Sequence, residues 1–203
     1  MDSKTGTVVR AAGDDDVEAL AGVLGRAFHD DPVTAWILPD AERRRRRLPA
    51  VYAMQLRGVF LPLGATDVAV RDGEIKAGAL WSPPNRWKVP ISAQLRMLPR
   101  ALRLAGPGFG RLVAVTSAME RAHPDEPHWH LAEFGTDPDA QGTGLGRTLL
   151  ESRLERFDSA GEAAYLESLD FNVPLYERFG FTVTREVKIK NGAVFSCMWR
   201  APS

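Results

Sequence analysis

Thr136-Asp137-Pro138-Asp139-Ala140-Gln141-Gly142-Thr143-Gly144-Leu145-Gly146-Arg147-Thr148-Leu149-Leu150 is the stretch whose reading decides the fold. A strand-like run from His128 to Thr136 ends in it. A leucine-rich helix from Gly144 to Ala160 begins in it, with Leu145, Leu149, Leu150, Leu154 and Phe157 as its buried side. Three glycines alternate between the two. Lacking Cβ atoms, they let main-chain N–H groups turn inward and approach an anion closely. The free N–H groups at the helix start, and its positive dipole end, act in the same direction. The pattern predicts a diphosphate cradle, although the glycines alone fit a structural turn equally well. Two familiar cradles are excluded. Arg147 stands where a dinucleotide-binding loop needs a glycine, and no Gly-Lys-Ser/Thr is present for a P-loop.

Working outward, Thr7–Ala11 reads as a strand, and Asp14-Asp15-Asp16 opens a helix running to Phe28. His29-Asp30-Asp31-Pro32 breaks it, and a second helix is expected from Asp40 to Phe60, irregular near Pro49. Asp67–Arg71 and Glu74–Trp81 flank Asp72-Gly73, a type I′ hairpin signal. Residues 90–122 are helical in pattern, with interruptions at Pro99 and at Gly106-Pro107-Gly108. Ala163–Leu169 is a strand and Asn172–Phe179 a short helix closed by Gly180. Phe181–Lys190 and Ala193–Arg200 form a second hairpin around Asn191-Gly192. This order predicts an α/β (α+β) fold with a mixed sheet, as a single domain over residues 1–203.

Composition narrows the function classes. The chain has 203 residues, with 26 basic and 26 acidic side chains and no net charge. That balance speaks against a nucleic-acid binder. One cysteine, Cys197, excludes an internal disulfide framework and multi-cysteine metal sites. Met1–Arg10 has no apolar core of a secretory signal, and no apolar run approaches the ~18 residues of a membrane span. A cytoplasmic protein with no membrane partner is expected.

A second motif, Asn172-Val173-Pro174-Leu175-Tyr176-Glu177-Arg178-Phe179-Gly180-Phe181, follows the glycine segment after one helix and one strand. Together with Gln141-x-x-Gly144-x-Gly146, in that order and separation, it resembles the GNAT superfamily of N-acetyltransferases. Within it the chain is most similar to puromycin N-acetyltransferase-like members. The likeness is sharp over residues 128–199 and loose before them. It implies a GNAT-like, mostly antiparallel central sheet with helices on both faces and splayed parallel central strands. Acetyl-CoA is implied as cosubstrate, bound mainly by residues 131–180, with acceptor-pocket elements mainly in 12–122.

The resemblance also assigns roles. Pantetheine would run along Phe134, Gly135 and Thr136, and a main-chain N–H near Phe134 or Gly135 would polarise the thioester. The diphosphate would meet the segment Gln141, Gly142, Thr143, Gly144, Leu145, Gly146, Arg147 and Thr148, with Arg147 adding charge. Asn172 would bond the pantetheine. Tyr176 is the expected general acid, because a phenol stays protonated at neutral pH and can donate to a leaving thiolate. Glu133 and Glu167, carboxylates on strands that seldom carry them, are the candidate bases, directly or through water.

The expected reaction is direct attack by a primary amine of a small molecule, such as a puromycin-like aminonucleoside or another antibiotic. Phe28, Trp36, Trp81 and Met119 are the candidate acceptor-pocket residues. The alternatives are acetylation of a protein N-terminus or lysine, and a non-catalytic coenzyme A-binding module. A monomer or homodimer is expected. His128 and His130 alternate along one strand, but no third ligand of convincing spacing accompanies them, so no metal is expected. Arg43–Arg47 reads as a solvated helix surface rather than a nucleic-acid contact.

Overall fold

The computed structural model of the protein describes residues 6–189 and 192–202. Lys190 and Asn191 of the second expected hairpin lie outside them. The strands are β1 (Val8–Ala11), β2 (Thr66–Arg71), β3 (Glu74–Ser82), β4 (Trp129–Thr136), β5 (Ala164–Leu169), β6 (Thr182–Lys188) and β7 (Val194–Arg200). The helices are α1 (Val17–Ala27), α2 (Pro32–Ile37), α3 (Ala41–Gln55), α4 (Ile91–Ala105), α5 (Phe109–Ala122), α6 (Leu145–Ala160) and α7 (Val173–Glu177). Among the described residues no helix is long and apolar enough to cross a membrane.

The strands form one sheet in the order β1-β2-β3-β4-β5-β7-β6. Every neighbouring pair is antiparallel except β4–β5, as the resemblance implied. That parallel ladder is short, joining only Trp129–Leu131 to Ala164–Leu166. Beyond Leu131 the two strands diverge while β4 stays paired to β3 as far as Thr136. The β2–β3 turn has the positive φ values a type I′ hairpin requires, 54° at Asp72 and 79° at Gly73.

Period-2 alternation along β2 and β3 sends side chains to two apolar layers. Ala77, Ala79 and Trp81 pack under α6 with Leu149, Leu150 and Phe157. Val68 and Leu80 face α1 and α3, meeting Leu20, Leu24, Leu48 and Leu56. A bidentate ion pair, Arg153 Nε and Nη2 to the Asp67 carboxylate at 2.6 and 2.7 Å, fixes α6 to β2. Both side chains are nearly buried.

Two glycines set how closely α1 lies on the sheet. Gly78 and Gly135 sit opposite one another in the β3–β4 ladder. A Cβ on Gly78 would lie 2.3 Å from Leu20 Cδ1, and one on Gly135 would lie 3.0 Å from Leu24 Cδ2 and Ala27 Cβ. Gly135 is therefore required by helix packing, and the β3–β4 register shift falls elsewhere, between Leu80 and Trp81.

Several local expectations are corrected. His29–Pro32 leads into α2, where the Asp31 side chain accepts from Thr34 N at 2.8 Å and Pro32 takes the first turn. Pro49 does not break α3, and its ring packs where Gly25 of α1 has no side chain. The irregularity comes later, as a π-helical turn over Leu56–Phe60. Pro99 likewise sits inside α4, and the break comes at Gly106–Gly108 as expected. Nor is the arginine run wholly solvated. Arg44 is buried and donates to the carbonyls of His29, Leu38 and Pro39, and Arg47 donates to Leu104 O at 2.6 Å.

Candidate active site

Divergence of β4 and β5 opens the sheet at its centre, and two clefts form there. The first, about 610 Å³, lies over the strand-to-helix junction and is bordered by Phe134, Thr136, Gln141, Gly142, Gly144, Leu145, Gly146 and Arg147. Gly142 and Gly144 have φ of 73° and 83°, the left-handed region that disfavours other residues. A Cβ on either would meet nothing within 4 Å, so backbone conformation, not crowding, requires these two glycines. Gly146 differs: its Cβ would come within 2.9 Å of Thr136 Oγ1 and 3.0 Å of Phe134 Cζ, so its bareness lets α6 start hard against β4.

The first intrahelical bond of α6 is from Thr148 N to Gly144 O, at 3.0 Å. The N–H groups of Leu145, Gly146 and Arg147 therefore precede the helical ladder. Free N–H groups, a positive dipole end and uncrowded glycines beside an open cleft are what a diphosphate needs, so the residues present fit coenzyme A. Thr143 and Thr148 do not border this cleft; their hydroxyls donate to Ala140 O and Gly144 O and brace the turn. Arg147 pairs with exposed Glu151 at 2.7 Å. Arg178, just after α7, is a second cation on the cleft that the sequence reading did not single out.

The second cleft is a cavity of about 500 Å³ on the α1, α3 and α5 side of the divergence. Glu133, Glu167, Asn172 and Tyr176 all border it, drawn from β4, β5 and α7. Phe134 borders both clefts, so the cradle and the cavity meet at the strand where the pantetheine was expected. Asn172 and Tyr176 thus lie on the cavity side rather than over the cradle.

Phe28 and Met119 line the cavity, and Trp36 and Trp81 do not. Trp81 is fully buried on the other face of the sheet, edge-on to Phe157 at 5.1 Å. Period-2 alternation along β3 places it there, on the same face as Ala77 and Ala79. Trp36 lies 5.8 Å from the Arg111 guanidinium and outside the cavity. Apolar walls come instead from residues such as Ile37, Leu48, Tyr52, Phe60 and Leu112.

Among the described residues the cavity has no lysine or arginine, but four carboxylates border it: Asp31, Glu120, Glu133 and Glu167. Burial, with Asp31 and Glu167 nearby, pushes Glu133 up to about 8. Burial, with the charge of Glu133, pushes the Tyr176 phenol well above its ordinary range, so it stays protonated. The Tyr176 ring packs between Phe134 and Phe181, at centroid distances of 6.5 and 6.1 Å.

Glu167 is held differently. His130 Nε2 lies 2.8 Å from Glu167 Oε2, and His123 Nδ1 lies 3.9 Å from Glu167 Oε1. The sequence reading missed His123, because it lies after α5 and comes beside β4 and β5 only in the folded chain.

Residues 109–200 match the family model described as Acetyltransferase (GNAT) domain. Among solved structures, the chain is similar to one from Corynebacterium glutamicum described as histone acetyltransferase HPA2 and related acetyltransferase. That match has 29% identity, 97% coverage of both chains and a TM-score of 0.77. Arylalkylamine N-acetyltransferase 2 from Aedes aegypti matches at 12% identity over 98% of this chain and 100% of its own, with a TM-score of 0.71. A GNAT family acetyltransferase from Brucella melitensis, solved in complex with acetyl-CoA, matches at 18% identity over 95% and 87%, with a TM-score of 0.50. The domain match and the 29%-identical neighbour support an acetyl-CoA-dependent N-acetyltransferase, and the other two neighbours share its fold.

Proposed function

We propose that this chain, an acetyl-CoA-dependent N-acetyltransferase by its domain and fold, acetylates the primary amine of a small molecule with an apolar body. One observation carries the reading: a cavity with apolar walls and four carboxylates, but no lysine or arginine among the described residues, opens onto the strand beside the glycine cradle. Such a cavity attracts an ammonium head and desolvates the body behind it. Its volume of about 500 Å³ suits a nucleoside-sized or arylalkyl ligand better than a polypeptide chain. Aminonucleosides of the puromycin type fall within that class.

Acetyl-CoA, seated on Gly142–Arg147, supplies the thioester; everything else is done by the chain. The short β4–β5 ladder leaves the β5 side of β4 unpaired beyond Leu131, which suits binding by main-chain hydrogen bonds. Glu133 takes the proton of the arriving ammonium, because its raised pKa matches an amine better than an ordinary carboxylate does. Tyr176 donates to the departing sulfur. Glu167 is engaged by His130 at 2.8 Å, which leaves Glu133 as the carboxylate placed to serve the amine.

Mass-spectrometric scoring of products from an amine panel tests this. Arylalkylamines, aminonucleosides, polyamines and lysine peptides would be incubated with acetyl-CoA. Acetylation of apolar-bodied amines in preference to peptides is expected. Peptides acetylated faster would overturn the substrate class, and binding without turnover of any amine would favour a coenzyme A-binding module.

A further inference from the structure

We infer that His123, His130 and Glu167 form a three-ligand site for a zinc-class divalent cation on the wall of the acceptor cavity. The site shares Glu167 with the proposed acceptor cavity, and its test needs neither acetyl-CoA nor an amine.

Hydrogen-bond bookkeeping leads to it. His128 Nδ1 lies 2.5 Å from the Glu126 carbonyl, which only accepts, so His128 carries its proton on Nδ1. His128 Nε2 is then an acceptor. Its neighbour at 2.9 Å, His123 Nε2, must be the donor. His123 is left with a bare Nδ1 lone pair, and that atom faces Glu167 Oε1 across 3.9 Å. Glu167 Oε1 is itself buried with no hydrogen-bond partner, on a side chain only 10% exposed. Two buried lone pairs aimed at one another are unfavourable unless something positive lies between them.

His130 completes the set. One ligand atom from each of the three residues falls within 4.8 Å of the others. Ligands at about 2.1 Å from a tetrahedral zinc stand roughly 3.4 Å apart, so closing the site needs only side-chain adjustment. His130 Nε2 now donates to Glu167; on binding it would move that proton to Nδ1 and offer its lone pair.

Outer support is already built. The His123–His128–Glu126 chain fixes the tautomer and ring orientation of a ligating histidine, a common feature of metal centres. Stacking of His123 on Trp87, at 3.6 Å between ring centres, holds the plane. All three ligands border the cavity, so the fourth coordination position faces the space where an acceptor would sit. Two imidazoles and one carboxylate are a donor set that suits zinc, with cobalt as its spectroscopic substitute.

The test is calorimetric titration of ZnCl2 into the chelator-treated full chain, with no acetyl-CoA or amine present. Co2+ absorption reports the coordination. One site per chain and the visible bands of four-coordinate Co2+ are expected. His123→Asn and the near-isosteric Glu167→Gln should each weaken Zn2+ at least 10-fold, and His128→Asn, acting through His123, by about 10- to 100-fold. Glu133→Gln should bind as the parent does. Because Glu167→Gln keeps side-chain volume, its melting curve checks that the fold survives if His123→Asn does not. Absence of stoichiometric Zn2+ binding by the parent, or Glu167→Gln binding Zn2+ as tightly as the parent, overturns the proposal.

Discussion

Replacing Glu133 by glutamine removes the proposed base while keeping its shape. The folded environment places this carboxyl at about 8 against an ordinary 4.5. At pH 6 about one molecule in a hundred is then ionised, and at pH 8 about half, so kcat/KM should climb roughly 50-fold between them. With an acceptor amine of pKa near ~10, the amine's own titration stays outside this window. Continuous detection of coenzyme A thiol across pH 5.5–9 reads the profile. In Glu133→Gln the limb near pH 8 should vanish, and kcat/KM at pH 8.5 should fall by about 10²–10⁴, or roughly 3–5 kcal/mol of barrier.

Stability should move the opposite way. The native state keeps this proton while the unfolded chain loses it above 4.5, so the parent weakens as pH rises from 4.5 towards 8 and levels off beyond. The melting advantage of the glutamine variant should grow across that interval and then hold steady. A limb near pH 8 that survives in Glu133→Gln would refute the assignment of the base. So would a parent limb lying below pH 6.

Tyr176→Phe should lower kcat by about 10- to 1000-fold with the acetyl-CoA KM within about threefold; unchanged kcat would show that the sulfur takes its proton elsewhere. Arg153→Met strands the buried Asp67 carboxylate between α6 and β2 and should cost about 3–5 kcal/mol in urea unfolding, most of it recovered when Asp67→Asn is added. Gly108→Ala would set a Cβ 2.0 Å from Ile37 O, a main-chain atom that cannot swing aside. It should destabilise the α2–α5 contact by about 1–3 kcal/mol, read as a lower melting temperature.

Much of the sheet was legible because its signals are local. Asp72-Gly73 forces one turn type, and the alternating Gly142, Gly144 and Gly146 mark the only strand-to-helix junction of their kind in the sequence. Features set by distant contacts were not legible. Pro49 stays inside α3, and its ring packs against Gly25, 24 positions earlier in sequence. Trp81 reads as a pocket residue, yet it falls on the face of β3 that packs under α6, while the cavity opens on the other face. Gly135 looked like a place for a ligand to approach, and α1 uses that space. At the site, Glu133, Glu167, Asn172 and Tyr176 share one cavity: Asn172 and Tyr176 stand in the second motif, and Glu133 and Glu167 stand out as carboxylates on strands. His123 was out of reach, since nothing in its own neighbourhood shows that it meets β4 and β5. Asp31 and α2 carry a readable signal, since an Asp-Pro pair fits a helix start as well as a helix break.

Calorimetric titration of acetyl-CoA into the parent chain and into Gly144→Val bears most directly on the cradle. Gly144 sits at φ 83°, where a β-branched residue is strained and would turn the neighbouring N–H groups out of line. One molecule bound per parent chain is expected, with binding lost in a variant that still melts cooperatively. Equal affinity in the two, or no heat from the parent, would contradict the account.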